Sequence, residues 1–231
     1  MMEDHLQKKI SKKIPLVKIC GNLYLEEALK VAQFEPDFMG WIFSPFSPRK
    51  IRISEAKKII LEIKNRYSKI YHVGVFAGNP ISEILDILAN MNLDVKCLDF
   101  LQVLEEDDTI PNLRSSLEGQ NLKIPVIPVI RPKGILTEDI FRKTEPSLFW
   151  ILDRFDPNLK GGTGKTIPEE FFKEKISKPY LIAGGIQPQN ALKMIKISNA
   201  IGMDISSGVE KAPGIKDETK LKELFDKINQ A

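Results

Sequence analysis

The most constraining feature of the sequence is a short apolar segment, residues 17–21, that ends in a thiol and a glycine. Its pattern places Cys20 at the carboxyl end of a buried strand. Residues 25–32 follow with helical spacing of apolar side chains, and residues 37–43 form a second apolar run. Strand, helix and strand within about 40 residues is the pattern of a βαβ unit. Because a (β/α)8 barrel builds its active site at the carboxyl ends of its strands, this segment predicts both a fold and a site.

The rest of the chain repeats this unit, so that eight strands can be assigned. Seven of the predicted strands span residues 16–20, 38–43, 70–76, 124–130, 148–153, 180–183 and 200–205. The fourth strand has two alternatives, residues 94–98 or residues 99–103. Predicted helices lie between the strands, including one through Arg66 that Ser54 would cap, one over residues 137–143 and one from about Pro168. The predicted fold class is therefore α/β, a single (β/α)8 TIM barrel.

The length supports one barrel domain, since barrels of this type run to about 250 residues and the chain has 231. Residues 15–231 form the predicted catalytic barrel, and no linker or low-complexity segment divides it. Residues 1–14 form an N-terminal extension, for which the sequence leaves two alternatives. The extension is either a frayed tail or a short helix that covers the bottom of the barrel.

Composition and charge narrow the classes of function. The chain is 42% hydrophobic and 28% charged, which is ordinary for a globular domain. The net charge of +3 comes partly from Lys8, Lys9, Lys12 and Lys13; without interleaved aromatic residues, such a tail indicates no nucleic-acid partner. No apolar run approaches the roughly 20 residues of a membrane helix, and the charged N-terminus is unlike a secretory signal. Two distant cysteines without metal-type spacing indicate free thiols, no metal site and a cytoplasmic location.

Two glycine-containing loops follow the last two predicted strands. Gly184 and Gly185 come after the seventh strand, and Ser206, Ser207 and Gly208 come after the eighth. Loops at these positions of a barrel often bind phosphate through backbone N–H groups, and glycine lets the backbone approach an anion closely. Tight turns without a ligand are the alternative for either cluster alone. Because the two loops are neighbours in a barrel, the sequence favours a phosphate site.

Cys20 is either a small buried hydrophobic residue or a catalyst. Lys18 lies two positions earlier, so both side chains face the same side of the strand, and a cation near a thiol favours the thiolate. A lysine inside a barrel also needs a carboxylate partner, and Asp204 on the adjacent eighth strand is the candidate. In that arrangement Lys18 and Asp204 form a supporting structural pair beneath Cys20.

Two more charged residues follow predicted strands. Asp153 ends the apolar sixth strand and is either a loop-ordering residue or a general acid whose pKa the apolar surroundings raise. Arg49 follows the second strand in a proline-flanked loop and is either a surface side chain or a fork for a planar carboxylate. Residues 161–165, with Gly162 among them, lack the full spacing of a nucleotide-binding loop, which favours a flexible active-site loop.

In combination these segments resemble the phosphoribosylanthranilate isomerase family. The segments that carry the resemblance are residues 17–21, 47–49, 73–76, 152–153, 161–166, 183–185, 204–210 and 213–217. The resemblance extends from about Leu16 to the end of the chain. The order and combination of the motifs are highly specific, although single motifs are not.

The resemblance implies a (β/α)8 barrel that catalyses an Amadori rearrangement in L-tryptophan biosynthesis without a cofactor. The substrate would be the phosphosugar N-(5-phosphoribosyl)anthranilate, and the product would be 1-(2-carboxyphenylamino)-1-deoxyribulose 5-phosphate. By the family's pattern Cys20 is the general base, Asp153 is the general acid, and Arg49 holds the anthranilate carboxylate. The other substrate-binding residues would be Gly162, Gly184, Gly185, Ser206, Ser207 and Gly208. The expected assembly is a monomer or a homodimer.

Two segments depart from the family's pattern. The family usually ends its fourth strand with Gln-Leu-His-Gly, where this chain has residues 97–100 in one register or residues 102–105 in the other. Only the second register keeps the glutamine, and neither keeps the histidine. Asn22 and Leu23 replace the usual Ile-Thr before the first helix, which removes its cap. The departures leave open a degenerate barrel that binds a phosphosugar without turnover, or another phosphosugar isomerase or lyase.

Overall fold

Eight parallel strands form a closed barrel, in which each strand pairs with the next along the chain and the last pairs with the first. The computed structural model describes residues 2–92, 95–106, 108–154 and 165–230, with the backbone alone at residues 2–5 and 7. The strands are β1 (Leu16–Ile19), β2 (Phe38–Ile42), β3 (Tyr71–Phe76), β4 (Phe100–Leu104), β5 (Val126–Ile130), β6 (Trp150–Leu152), β7 (Tyr180–Ile182) and β8 (Gly202–Ile205). The predicted (β/α)8 TIM barrel is confirmed.

Helices surround the barrel, and a short hairpin follows β8. The helices are α1 (Met2–Ser11), α2 (Leu25–Ala32), α3 (Ile53–Arg66), α4 (Ile81–Asn92), α5 (Thr109–Gly119), α6 (Ala191–Ser198) and α7 (Glu218–Asn229). The hairpin pairs β9 (Glu210–Ala212) with β10 (Ile215–Lys216). Among the described residues, no helix combines the length and the apolar character that crossing a bilayer requires.

Two of the predicted helices form 3₁₀ turns instead of α-helices. They lie after β5, at Glu138–Thr144, and after β6, at Glu169–Phe172. A 3₁₀ helix rises further per residue than an α-helix and occurs mostly in short segments. It is therefore suited to short connections such as these two.

The fourth strand begins one residue after the later of its two predicted positions, and the earlier alternative is wrong. The cause is a polar side chain at the end of α4. Asn92 Oδ1 accepts hydrogen bonds from the backbone N–H groups of Cys97 and Leu98, at 3.0 and 2.9 Å. An asparagine that bonds to nearby backbone competes with strand pairing, so the chain joins the sheet only after this turn.

The helix starts show one wrong prediction about capping. Arg52 is the last residue with an extended backbone and α3 begins at Ile53, so Ser54 lies inside the first turn and is not its cap. Tyr24 precedes α2 and makes no side-chain capping bond, as the loss of the usual cap predicted. Asp217 caps α7, because its carboxylate accepts hydrogen bonds from two backbone N–H groups of the first turn at 3.0 and 3.3 Å.

The strand side chains divide between two apolar clusters. Side chains that face the barrel interior form one cluster, and those that face outwards pack with the helices in the other. The interior cluster includes Leu16, Phe38, Val73, Phe100, Phe149 and Leu181. This alternation follows from the two-residue period of a β-strand. As a result, every second side chain of each strand points into the barrel interior.

The N-terminal extension forms a helix, α1, that packs against the barrel. Leu6 is buried and belongs to the interior cluster, with Ile10 packed beside it. Lys9 Nζ donates to buried Asp37 at 2.7 Å, and Asp37 Oδ2 accepts a hydrogen bond from the N–H of Val17 at 2.9 Å. These contacts lie at the amino-terminal ends of β1 and β2, on the side of the barrel opposite the carboxyl ends of the strands.

Candidate active site

A cavity of about 100 Å³ lies at the carboxyl ends of β1, β6, β7 and β8. It is lined by Cys20, Asp153, Ala183, Gly184, Gly185, Ile186, Asp204, Ile205, Ser206, Ser207 and Gly208. The structure thus brings together the predicted thiol, the predicted carboxylate and both glycine loops. Lys18 and Arg49 lie next to this cavity and not in its lining, and Gly162 lies outside the described residues.

Lys18 and Asp204 form the ion pair that the sequence predicted. They stand opposite each other in the register between β1 and β8, and Lys18 Nζ donates to Asp204 Oδ1 at 2.9 Å. Burial alone would lower the pKa of Lys18, but the Asp204 carboxylate, together with Cys20 in its thiolate form, outweighs this effect, so the pKa is raised. Lys18 is therefore a charged ammonium group buried beneath the thiol.

The Cys20 thiol is buried, and this burial raises its pKa above the ordinary value. Lys18 acts in the opposite direction, while Asp204 adds to the increase. Lys18 therefore favours the thiolate, as the sequence predicted, but the effect of burial on the pKa of Cys20 is larger. The resting thiol is protonated at neutral pH.

Gly40 in β2 makes the space that these two side chains occupy. A Cβ atom on Gly40 would lie 2.7 Å from Cys20 Sγ and 2.9 Å from Lys18 Nζ. Gly40 is not among the site residues predicted from the sequence. The available signal was a glycine inside an apolar strand, which often marks a close approach of other atoms.

Asp153 lies directly after β6, with its carboxylate held from two sides. Its Oδ1 accepts a hydrogen bond from the N–H of Arg154 at 2.9 Å, and Arg131 Nη2 donates to its Oδ2 at 3.5 Å. Burial raises the pKa of Asp153, Arg131 opposes this increase, and Asp204 adds to it. The pKa shift has the direction that the sequence predicted, whereas the contact from Arg131 at the end of β5 was not foreseen.

The two glycine loops pack closely on one another. A Cβ atom on Gly208 would lie 1.8 Å from the carbonyl oxygen of Ile186, so only glycine fits at that position. Gly184 has a φ of +79°, and a Cβ atom there would lie 2.9 Å from Asp153 Oδ1. Ser206 Oγ is buried and has no hydrogen-bond partner within the described part of the chain. A ligand hydroxyl or phosphate oxygen could satisfy this group.

Arg49 is held beside the end of β1 by a carboxylate. Its Nε donates to both oxygens of Glu210 at 3.0 and 2.9 Å, and its Nη2 donates to Oε2 at 2.6 Å. Its Cδ lies 2.5 Å from the position of a Cβ atom on Gly21, the residue after Cys20. Because the Arg49 side chain is only 13% exposed, the alternative of a surface arginine is wrong. Glu210 belongs to a segment that carries the family resemblance, but no role was predicted for it from the sequence.

The end of β4 is apolar where the family usually has a histidine. In the observed register, Gln102 is the residue shared with the family and Leu104 stands in place of the imidazole. Leu104 is buried in the interior cluster of the barrel. The residues that line the cavity described above come from other strands and loops, so Leu104 is not part of that lining.

The chain is similar to known proteins over most of its length. The family model for N-(5'-phosphoribosyl)anthranilate isomerase matches residues 17–227. The N-(5'-phosphoribosyl)anthranilate isomerase of Gloeothece citriformis is 32% identical over 221 residues, which cover 93% of this chain and 94% of the relative.

Two solved structures extend the comparison to the fold. The crystal structure of phosphoribosyl anthranilate isomerase from Thermus thermophilus has a TM-score of 0.76 at 27% identity and covers 93% of this chain and 98% of that chain. A phosphoribosyl anthranilate isomerase in complex with reduced 1-(o-carboxyphenylamino)-1-deoxyribulose 5-phosphate has a TM-score of 0.68 at 26% identity, with 94% and 100% coverage. On this sequence and structural similarity, the chain belongs to the phosphoribosylanthranilate isomerase family.

Proposed function

We propose that this chain converts N-(5-phosphoribosyl)anthranilate into 1-(2-carboxyphenylamino)-1-deoxyribulose 5-phosphate, the Amadori rearrangement of L-tryptophan biosynthesis. The observation that carries the proposal is the placement of Cys20 and Asp153 on one cavity, beside two loops of a kind that binds phosphate. One general acid and one general base suffice for this rearrangement, so the proposed reaction needs no cofactor.

Asp153 is the proposed general acid. Its carboxyl group gives a proton to the ring oxygen of the ribose, the bond between C1 and that oxygen breaks, and the anthranilate nitrogen supplies the electron pair of the resulting iminium ion. Burial raises the pKa of Asp153, so this carboxyl group keeps its proton at a higher pH than an ordinary aspartate does. The hydrogen bond from the N–H of Arg154 fixes the orientation of the group.

Cys20 is the proposed general base. Its thiolate takes the proton from C2, and the electrons of the broken C–H bond form the C1–C2 double bond of an enolamine. The enolamine gains a proton at C1 and loses the proton on its C2 oxygen, which gives the ketone. The Lys18 ammonium group lies beside this thiolate and stabilises it.

The proposed active form carries a proton on Asp153 and none on Cys20. Because burial raises the pKa of the Cys20 thiol, the thiolate is a minor form at neutral pH. The rate should therefore rise with pH while the thiolate forms on molecules that still carry the Asp153 proton. It should fall once thiolate formation is complete and only the loss of the Asp153 proton continues. The Asp204 carboxylate contributes to the raised pKa of both groups.

The remaining predicted site residues are proposed to bind the two ends of the substrate. Arg49 takes the anthranilate carboxylate. The phosphate lies against the two glycine loops, at Gly184, Gly185, Ser206, Ser207 and Gly208. Gly162, in the predicted active-site loop, is a further proposed substrate-binding residue.

The experiment that tests the proposal is the loss of anthranilate-type fluorescence when the purified protein meets the substrate. Cys20→Ser and Asp153→Asn should each lower kcat by about 10²–10⁴-fold, because each removes one proton-transfer group. The matched control is Cys97→Ser, at the other buried free thiol, which lies away from the cavity and should leave turnover unchanged. If Cys20→Ser turns over within a few-fold of the wild type, Cys20 is a packing residue.

The rival function is a degenerate barrel that binds a phosphosugar without converting it, and the apolar end of β4 favours it. Reduced 1-(o-carboxyphenylamino)-1-deoxyribulose 5-phosphate, which a relative holds in its crystal structure, separates the two. A protein that binds this compound but leaves the substrate fluorescence unchanged is the degenerate barrel. A protein that does neither leaves the third alternative, another phosphosugar isomerase or lyase, to be tested with other phosphosugars.

We place this reaction in the cytoplasm, since both cysteines are free and buried, as is usual in a reducing compartment. The proposed assembly is a monomer or a homodimer, and sedimentation velocity distinguishes the two.

A further inference from the structure

Three charged side chains, Arg49, Glu210 and Lys216, form a buried cluster beside the cavity. Glu210 is the first residue of the hairpin β9–β10 and Lys216 is its last. Glu210 Oε1 accepts hydrogen bonds from Lys216 Nζ at 2.8 Å and from the N–H of Gly214 at 3.2 Å. Both Glu210 oxygens also accept from Arg49. The side chains of Glu210 and Lys216 are 3% and 0% exposed, so solvent has almost no access to the pair.

Lys216 also contacts the strand that carries the proposed base. Its Nζ donates to the carbonyl oxygen of Cys20 at 2.6 Å. Its own backbone N–H donates to Glu27 Oε2 of α2 at 2.7 Å. Glu27 thus fixes the backbone of Lys216, and Glu210 fixes its ammonium group. The ammonium group in turn holds the carbonyl group of Cys20 at the end of β1.

Stability alone does not account for the burial of these charges. A buried ion pair usually gives no more stability than apolar side chains of the same shape, because both charges lose their hydration. The cluster combines two cations with one anion, which leaves one positive charge in excess beside the cavity. Glu210 occupies the Nε–Nη2 edge of the Arg49 guanidinium, so the Nη1 side is the one that can meet a second carboxylate.

We infer that Glu210 and Lys216 are positioning residues of this site. Glu210 fixes the Arg49 guanidinium so that its Nη1 side meets the aromatic carboxylate of the substrate. Lys216 fixes the carbonyl of Cys20 and thereby the position of the thiol at the end of β1. The inference rests on the proposed isomerase function and adds two residues that act through Arg49 and Cys20.

The role of Glu210 is tested with two ligands that differ only in the carboxylate. They are reduced 1-(o-carboxyphenylamino)-1-deoxyribulose 5-phosphate and the same compound without the ring carboxylate. Glu210→Gln should weaken binding of the first by up to about 100-fold, the cost of a misplaced contact, and leave binding of the second within about twofold. KM should rise in parallel while kcat stays within a few-fold, because the carboxylate is present in both ground and transition states.

Two further variants keep this test decisive. Asp226→Asn is the control, because it removes a carboxylate from an exposed ion pair on α7 and should change neither affinity. Glu210→Asp keeps the charge but withdraws it by one methylene group, so it should show the same selective loss if Glu210→Gln does not fold. Equal weakening of both ligands, or no weakening of either, would overturn the positioning role of Glu210.

The role of Lys216 is tested by the reactivity of the Cys20 thiol in a Cys97→Ala background. The charged groups that face this thiol are Lys18 on its own strand, Asp204 on β8 and Lys216 on β10. Lys216→Met keeps the shape and removes the cation, so the pH midpoint of alkylation by iodoacetamide should move upwards. We also expect kcat to fall about tenfold or more while KM is unchanged, which is the reverse of the Glu210→Gln pattern.

The outcomes separate failure of this inference from failure of the proposed function. If the wild type neither binds the carboxylate-bearing ligand nor consumes the substrate, the proposed function fails. If the wild type does both, but Lys216→Met leaves the alkylation midpoint and kcat unchanged, only the positioning role of Lys216 is overturned. Thermal unfolding of each variant identifies those that are folded and can be compared.

Discussion

Burial shifts the pKa values of two site residues, Cys20 and Asp153, in the same direction. Burial disfavours the charged form of an acid, so it raises the pKa of both the thiol and the carboxyl group. For a general acid the shift is useful, since the proton stays available at higher pH. For a general base the same shift reduces the fraction of the reactive thiolate, and the Lys18 ammonium group only partly offsets it.

The raised pKa of Asp153 predicts a pH-dependent cost to stability. In the unfolded chain an aspartate has a pKa of about 3.9, so between that pH and the folded value the native state binds more protons. The free energy of unfolding of the wild type should therefore fall as pH rises through this window. Asp153→Asn keeps the shape without this titration, and its stability relative to the wild type should increase with pH.

Urea unfolding of both proteins from about pH 4 to about pH 8 measures this difference. Asp139→Asn is the control for the loss of a carboxylate, since Asp139 is an exposed partner of Arg142 outside the barrel. A stability difference between wild type and Asp153→Asn that stays constant or shrinks with pH would show that the carboxyl group is not destabilised by burial.

The space at Gly40 gives a second prediction for single residues. Gly40→Ala would place a methyl group 2.7 Å from Cys20 Sγ, so the thiol or Lys18 must move. We expect a loss of about 1–3 kcal/mol in the free energy of unfolding, as for other overpacked sites, and a lower kcat. Gly119→Ala is the matched control, because a Cβ atom there meets nothing within 4 Å. Equal kcat values for the two variants would mean that the thiol tolerates displacement.

The residues that sequence reasoning found and those it missed differ in what makes them important. Cys20 and Asp153 end apolar strands, so their position at the barrel mouth can be predicted from the strand pattern. Glu210 and Lys216 gain their roles from partners 161 and 196 positions away in the chain, Arg49 and Cys20. Such contacts depend on closure of the barrel, and no local pattern contains them.

At the scale of elements, the strands are well predicted because each is a nearly continuous apolar run, as buried parallel strands are. The boundaries are less well predicted where side chains compete for backbone groups. Asn92 delays the start of β4, and the extended backbone of Arg52 moves the start of α3 ahead of Ser54. The connections after β5 and β6 have weak helical patterns and form 3₁₀ turns.

The cap of α7 gives a prediction at this scale. Asp217 accepts two backbone hydrogen bonds at the start of the helix that follows the β9–β10 hairpin. Asp217→Ala should cost about 0.5–2 kcal/mol of stability, whereas Asp217→Ser keeps an acceptor and should cost less. Differential scanning calorimetry measures the two Tm values. Identical Tm values for Asp217→Ala and the wild type would show that this capping interaction adds nothing to stability.

At the scale of the whole molecule, the candidate site and the contacts of α1 lie at opposite ends of the barrel. The candidate site occupies the carboxyl ends of the strands, whereas α1 contacts β1 and the segment before β2 at the amino-terminal ends. In barrels of this kind the first end carries function and the second contributes stability. We therefore propose that residues 1–14 act as part of the barrel's packing and have no part in its chemistry.

This division predicts that damage at α1 lowers stability and spares turnover. Leu6→Ala removes a buried side chain from the interior cluster, so it should cost about 2–5 kcal/mol, with Tm falling by about 2–4 °C for each kcal/mol. At a temperature where the variant is folded, kcat and KM should stay within about twofold of the wild type. Lys8→Ala, at an exposed position of the same helix, should change neither Tm nor turnover. A Leu6→Ala variant that keeps its Tm would show that α1 does not contribute to the core, and one that loses kcat while folded would show that the two ends of the barrel are coupled.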